Sequence, residues 1–148
     1  MTLNDTIERE IFIRAGIDHV WSLVSKVGFW VGDDLVFDNE AGEGETVVIP
    51  TDKYGDFPVR VDRLEPPRYA AYRWASTFPG EQPAAGNSTL VEFSLVEQDG
   101  GVLVRLKESG FASLDVDEDV RLRGFRDNEA GWDAQLELLR QAGERVPA

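Results

Sequence analysis

Glu108 is the acid best placed for chemistry. It continues the every-second-residue phase of Val102, Val104 and Leu106, so in a strand it points to the same covered face. A carboxyl on that face is costly unless it is paired, hydrogen-bonded or protonated. Such a group can orient a ligand, exchange a proton or pair with an arginine, and Arg60, Arg73 and Arg121 are the candidate partners. A glutamate–arginine pair would make a polar anchor in an otherwise apolar pocket. The plainer alternative is a structural bond at the end of a strand.

Composition removes most other chemistries. A Ser-His hydrolase needs a histidine beside its nucleophile, and the single His19 falls on the polar side of a short helix. One histidine and no cysteine exclude the usual zinc and iron centres, disulfides and thiolate nucleophiles. The run Asp115-Val116-Asp117-Glu118-Asp119 looks like the start of a calcium loop. Its sixth position is Val120 instead of glycine and its twelfth is Arg126 instead of an acid, so helix capping is the better reading. Gly42-Glu43-Gly44 lacks the third glycine and the following helix of a phosphate loop. No metal and no cofactor are expected.

A net charge of −13 without a basic cluster argues against nucleic acid and acidic membrane surfaces as partners. No stretch approaches ~18 apolar residues, and Met1 to Arg14 lacks a basic head followed by an apolar run. The expectation is a cytoplasmic protein without membrane insertion. Its 148 residues fit one domain, residues 1–148. Hydrophobic residues make up 42% of the chain, with four Trp and eight Phe, enough for a core or for the walls of a pocket.

The elements that must position these groups follow from periodicity. Thr6–Arg14 alternates as a strand, although Arg9 interrupts its apolar face. Ile17, Val20, Trp21 and Val24 recur at helical spacing, and Val27–Gly32 predicts a second short helix or turn. Leu35–Asn39, Glu45–Thr51, Phe57–Leu64, Tyr69–Thr77, Thr89–Glu97 and Val102–Ser109 read as extended segments separated by turn residues. Short connections make the sheet an antiparallel meander. Tyr72 and Trp74 share one strand face and Arg73 takes the other, provided that no bulge intervenes. Pro79–Gly86 is the loosest loop and a candidate lid.

The last long segment, Val116–Ala142, is one helix. Phe125, Trp132, Leu136 and Leu139 hold an apolar stripe, beside which Arg121, Asn128 and Gln135 form a polar row at seven-residue spacing. Gly124 and Gly131 lie just beyond it, and each costs a helix roughly 1 kcal/mol. A helix that only covered a core needs neither feature, so this one is expected to close a cavity with its flank facing the contents. Asp115 is its expected cap, completed by Glu118 as a capping box.

Ile11-Phe12-Ile13-Arg14, Asp18-His19-Val20-Trp21, Val61-Asp62-Arg63-Leu64-Glu65-Pro66-Pro67-Arg68, Tyr72-Arg73-Trp74, Thr89-Leu90-Val91-Glu92-Phe93, Glu108-Ser109-Gly110-Phe111 and Asn128-Glu129-Ala130-Gly131-Trp132 occur in an order that spans nearly the whole chain. This wording resembles the START-like, or SRPBCC, superfamily, in the branch of homologues of the activator of the heat-shock chaperone ATPase. The resemblance implies an α+β helix-grip fold. Its curved antiparallel sheet of six to seven strands wraps around a long C-terminal helix, with two short helices after strand 1. It also implies a hydrophobic cavity between sheet and helix, in a superfamily that includes lipid and hormone carriers, polyketide cyclases and oxygenase domains.

The leading expectation is binding of a small, largely hydrophobic ligand in that cavity. Candidate ligand-binding residues are Trp21, Trp30, Tyr72, Trp74, Phe93, Glu108, Phe111, Arg121, Phe125, Asn128, Trp132 and Gln135. A cyclase or dehydratase acting on a polyketide-like or aromatic substrate is the enzymatic alternative, and needs Glu108 within reach of Tyr72 or an arginine. A co-chaperone-like protein that binds a chaperone partner through an outer surface is the third reading, and a homodimer also stays open.

Overall fold

The computed structural model describes residues 5–32 and 35–145. In chain order it comprises β1 (Thr6–Ile13), α1 (Ile17–Val24), β2 (Thr46–Thr51), β3 (Gly55–Glu65), β4 (Tyr69–Trp74), β5 (Thr89–Gln98), β6 (Gly101–Ser109), a 3-10 turn at Phe111–Ser113 and α2 (Glu118–Glu144). The six strands form one antiparallel sheet in the order β1-β6-β5-β4-β3-β2. With α2 across its covered face, this is the helix-grip α+β architecture.

Alternation sets the covered face. Thr89, Val91, Phe93 and Leu95 of β5 are buried, as are Val102, Val104, Leu106 and Glu108 of β6, while Arg105 and Lys107 are exposed. Register places Val91 opposite both Glu108 and Tyr72, so the glutamate lies level with the centre of the sheet. β3 carries an irregularity between Val61 and Arg63, but β4 and β5 stay in unbroken register, which preserves the Tyr72 and Trp74 face.

Two expected elements are absent. Val27–Gly32 forms turns and not a second helix, and Leu35–Asn39 is not a strand, so the sheet has six strands. The cause is local pairing. Val27 donates its backbone N–H to Asn39 O and Val36 to Phe29 O, so the two segments satisfy each other outside the sheet. Gly28, at φ +65°, allows the turn, and a side chain there would meet Ile49 at 2.6 Å.

α2 buries Phe125, Trp132, Gln135, Leu136, Leu139 and Gly143. A Cβ on Gly143 would lie 2.7 Å from Ile13, so this glycine lets the end of the helix sit directly on β1. Farther along, Arg9 of β1 reaches up to Asp133 at 2.9 Å and Glu129 at 3.2 Å, which explains the charge on an otherwise apolar strand face. The expected Asp115–Glu118 capping box does not form. Asp117 is the N-cap and makes no side-chain cap bond, while Glu118 and Asp119 place negative charge in the first turn.

Candidate functional site

Glu108 is fully buried and gathers donors from three directions. Trp74 Nε1 of β4 donates to Oε2 at 2.9 Å, and Thr89 Oγ1 of β5 lies 2.5 Å from the same oxygen. From α2, Trp132 Nε1 donates to Oε1 at 2.7 Å, and Asn128 Nδ2 lies 3.1 Å from both oxygens. Burial pushes the Glu108 carboxyl above its ordinary range, and the four donors pull the other way.

The expected arginine pair is not formed. Arg73 faces Asp62 across 3.9 Å, Arg60 donates to Pro83 O at 3.3 Å, and Arg121 donates to Leu114 O and Val116 O, each at 3.4 Å. Charge-neutral indole, amide and hydroxyl groups fill the place assigned to a cation. They satisfy the carboxylate without requiring a second buried charge.

Beside this knot a cleft of about 770 Å³ runs along the flank of α2. Its aromatic lining is Trp30, Tyr54, Phe57, Trp74 and Trp132, and Asn128 and Gln135 add polar groups. Trp30 sits 5.6 Å from both Trp74, at 90°, and Trp132, at 40°. Gly124, Ala130, Gly131 and Ala134 lower the helix wall, and Arg123 and Asp127 stand exposed on it. Pro79 from the loose loop lines the opposite side, and that loop is tied by Gly80 N–H to Asp56 O at 2.7 Å.

The cleft is open at the side, and the depth between sheet and helix is packed. Trp30 lies 5.3 Å from Tyr72 and 5.8 Å from Phe93, and Phe93 lies 5.9 Å from Trp132. Tyr72 Oη donates to Val24 O at 2.6 Å, fastening α1 to the sheet, and burial raises its hydroxyl pKa. Gln135 Nε2 donates to Trp30 O at 3.0 Å and Gly32 O at 2.6 Å, pinning the turn segment to α2.

Of the residues singled out from sequence, Trp30, Trp74, Asn128, Trp132 and Gln135 come together on the cleft. Tyr72 and Phe93 lie beneath it, and Glu108 stands behind Trp74 and Trp132. Phe111 and Phe125 pair edge to face 5.1 Å apart, outside the lining, and Arg121 is outside it as well. Trp21 packs against the core from α1, and His19, half-buried on the same helix, is also away from the cleft. Tyr54 and Phe57 were missed because a turn residue and the first residue of an expected strand carry no signal of a cleft, whereas Pro79 belongs to the loop that the sequence offered as a lid. Gly131 was visible as a costly glycine, and a Cβ built there meets nothing within 4 Å.

Among the described residues no group of His, Asp or Glu side chains has the arrangement of a metal site, and no helix is long and apolar enough to cross a membrane.

Several solved structures share the architecture. MLL2253 from Mesorhizobium loti aligns with a TM-score of 0.73 at 22% identity, covering 97% of this chain and 99% of its own. The Aha1 dimer from Colwellia psychrerythraea gives 0.71 at 18% identity, with 97% and 98% covered. DynU16, a protein in the dynemicin biosynthetic locus, gives 0.65 at 18% identity, covering 93% of this chain and 46% of its own. At these identities the likeness is one of fold. No curated protein matches the chain. Residues 17–144, however, match the family described as Activator of Hsp90 ATPase homolog 1-like protein, a span that includes the Glu108 knot and every cleft residue. The chain belongs to that family.

Proposed function

We propose that the chain binds a small, largely apolar, ring-bearing molecule in the cleft between the Trp30 turn and the flank of α2. The observation that carries this reading is the convergence of Trp30, Trp74, Trp132 and Phe57 on one open cleft whose helix wall is lowered by Gly131 and Ala134. Flat apolar walls with a few polar groups are the usual composition of a small-molecule site. The family and the fold are consistent with such a role.

Binding is preferred to cyclase or dehydratase chemistry for a geometric reason. Both Glu108 oxygens already accept bonds within the protein, and Tyr72 Oη is committed to Val24 O, so neither group is free to transfer a proton to a substrate.

The neutral fluorophore N-phenyl-1-naphthylamine provides the test. It should bind saturably and raise the melting temperature, as any ligand of the folded state does. Gly131→Phe places a ring in the cleft from a position with no neighbour to clash with, and should abolish both signals while the protein stays folded. Binding that Gly131→Phe leaves unchanged, or no saturable binding at all, overturns the reading.

A further inference from the structure

The polar group that the cleft receives can be read from one of its corners, granted the binding role proposed above. Asn128 Nδ2 carries two protons, and both are spent inside the protein. It donates to Ser76 Oγ at 3.0 Å and lies 3.1 Å from each Glu108 oxygen. A carboxyl group keeps an accepting oxygen with or without its proton, so this orientation does not depend on the charge of Glu108. The amide therefore turns Oδ1 away from the cluster. Among the described residues Oδ1 accepts no bond, and it is not an enclosed atom. Asn128 is half-buried on the cleft lining.

Ser76, also half-buried on the lining, supplies the complement. Its Oγ takes the Asn128 proton, and among the described residues its own O–H gives to no acceptor. A donor and an acceptor thus stand side by side with nothing to bond. Gln135, seven residues and about 10 Å farther along the helix axis, repeats the orientation by giving its Nε2 protons to Trp30 O and Gly32 O. Its unpaired Oε1 is enclosed, so the pair within reach of a ligand is the one at Asn128.

A single hydroxyl group completes both partners, taking the Ser76 proton on its oxygen and giving its own proton to Asn128 Oδ1. A ketone, ether or carboxylate has no proton to give, and an ammonium has no lone pair with which to take one. An anion also meets the exposed carboxylate of Asp127 on the same wall.

We infer that the cleft selects a neutral, ring-bearing molecule with a hydroxyl group, whose O–H bridges Ser76 and Asn128. The apolar body of such a molecule lies along Phe57 and the lowered wall of α2.

Three naphthalenes of similar shape test this: 2-naphthol, 2-methoxynaphthalene, which keeps the oxygen and loses the proton, and 2-methylnaphthalene, which has neither. In equilibrium dialysis against the intact protein at pH 7, 2-naphthol should bind about fivefold or more tightly than either of the others, the effect of two modest hydrogen bonds. Ser76→Ala removes the donor without touching the bonds to Glu108, and should weaken 2-naphthol several-fold but not 2-methylnaphthalene. Asn128→Ala should do the same, and Ser76→Ala decides the matter alone if that variant folds poorly.

Equal binding of 2-naphthol and either analogue overturns the inference and leaves the cleft reading standing. A preference that Ser76→Ala leaves unchanged also overturns it, as does failure of all three compounds to bind a protein that still takes the fluorophore. Absence of saturable binding by the fluorophore as well overturns both.

Discussion

Two sets of polar atoms lie on either side of Trp132, and they are built on opposite plans. Behind the ring, Glu108 accepts bonds from Trp74, Thr89, Asn128 and Trp132, and its carboxylate oxygens are satisfied. On the cleft side, Trp30 Nε1, Thr77 Oγ1 and Gln135 Oε1 are buried atoms of lining residues, and none has a hydrogen-bond partner among the described residues. Each unsatisfied buried group costs about 1–3 kcal/mol. The first cluster is thus complete within the protein, whereas the second keeps hydrogen-bonding capacity to spare.

The strongest way to break this contrast is Glu108→Ala, which strips the acceptor from Trp74, Thr89 and Trp132 and leaves Asn128 only Ser76 Oγ. It should cost on the order of 3–5 kcal/mol in urea unfolding, and a loss below about 1 kcal/mol would mean that the knot is not structural. Removing a methyl-sized hydroxyl from each cluster gives a direct comparison. Thr89→Val should cost about 1–2 kcal/mol because it takes a donor from Glu108, whereas Thr77→Val should be neutral or slightly stabilising. Equal costs would erase the distinction between the two sides.

Acidity sharpens the same point. Burial raises the folded pKa of Glu108 above its ordinary 4.5, so the folded state holds this proton more tightly than the unfolded chain does. Its contribution to stability is therefore full below about 4.5 and is lost as the pH rises through the raised folded value. The stability of the wild type relative to Glu108→Gln should fall across that window, and a difference that rises with pH would reverse the assignment. Gly131→Ala should stabilise the protein by up to about 1 kcal/mol, since the added Cβ meets nothing within 4 Å and the helix gains propensity. The smallest effect belongs to Arg9→Ala. Its pairs with Glu129 and Asp133 are substantially exposed, so thermal unfolding should register a loss of roughly 0.5 kcal/mol.

Much of this was legible along the chain. The phase of Val102, Val104 and Leu106 correctly placed Glu108 on the covered face, and the spacing of Phe125, Trp132, Leu136 and Leu139 found the buried stripe of α2. What periodicity could not supply was the identity of Glu108's partners. They come from β4, β5 and α2, and a local pattern carries no information about which donors three separate elements bring to one point. Charge alone suggested an arginine, because a tryptophan is usually counted as apolar bulk although its N–H is a good donor. The same bias hid the role of Val27–Gly32. Its short, glycine-punctuated apolar run left a short helix or a turn open, and it is a turn that carries Trp30 into the cleft lining and is held by Gln135. Gly131 of α2 was a signal of the cleft, since a residue that weakens a helix without relieving a clash leaves room for something else.

The Gln135 bridge has a consequence for the order of events in synthesis. Trp30 and Gln135 stand 105 residues apart in the chain, and the glutamine's two bonds to the turn join the first third of the protein to its last helix. Loop closure over such a distance is slow compared with the formation of local turns and helices. While α2 is still inside the ribosome the sheet can assemble, but the cleft has no far wall, Glu108 lacks Trp132 and Asn128, and the Trp30 turn is unfastened. Completion of the cleft and of the Glu108 cluster therefore waits on the docking of α2.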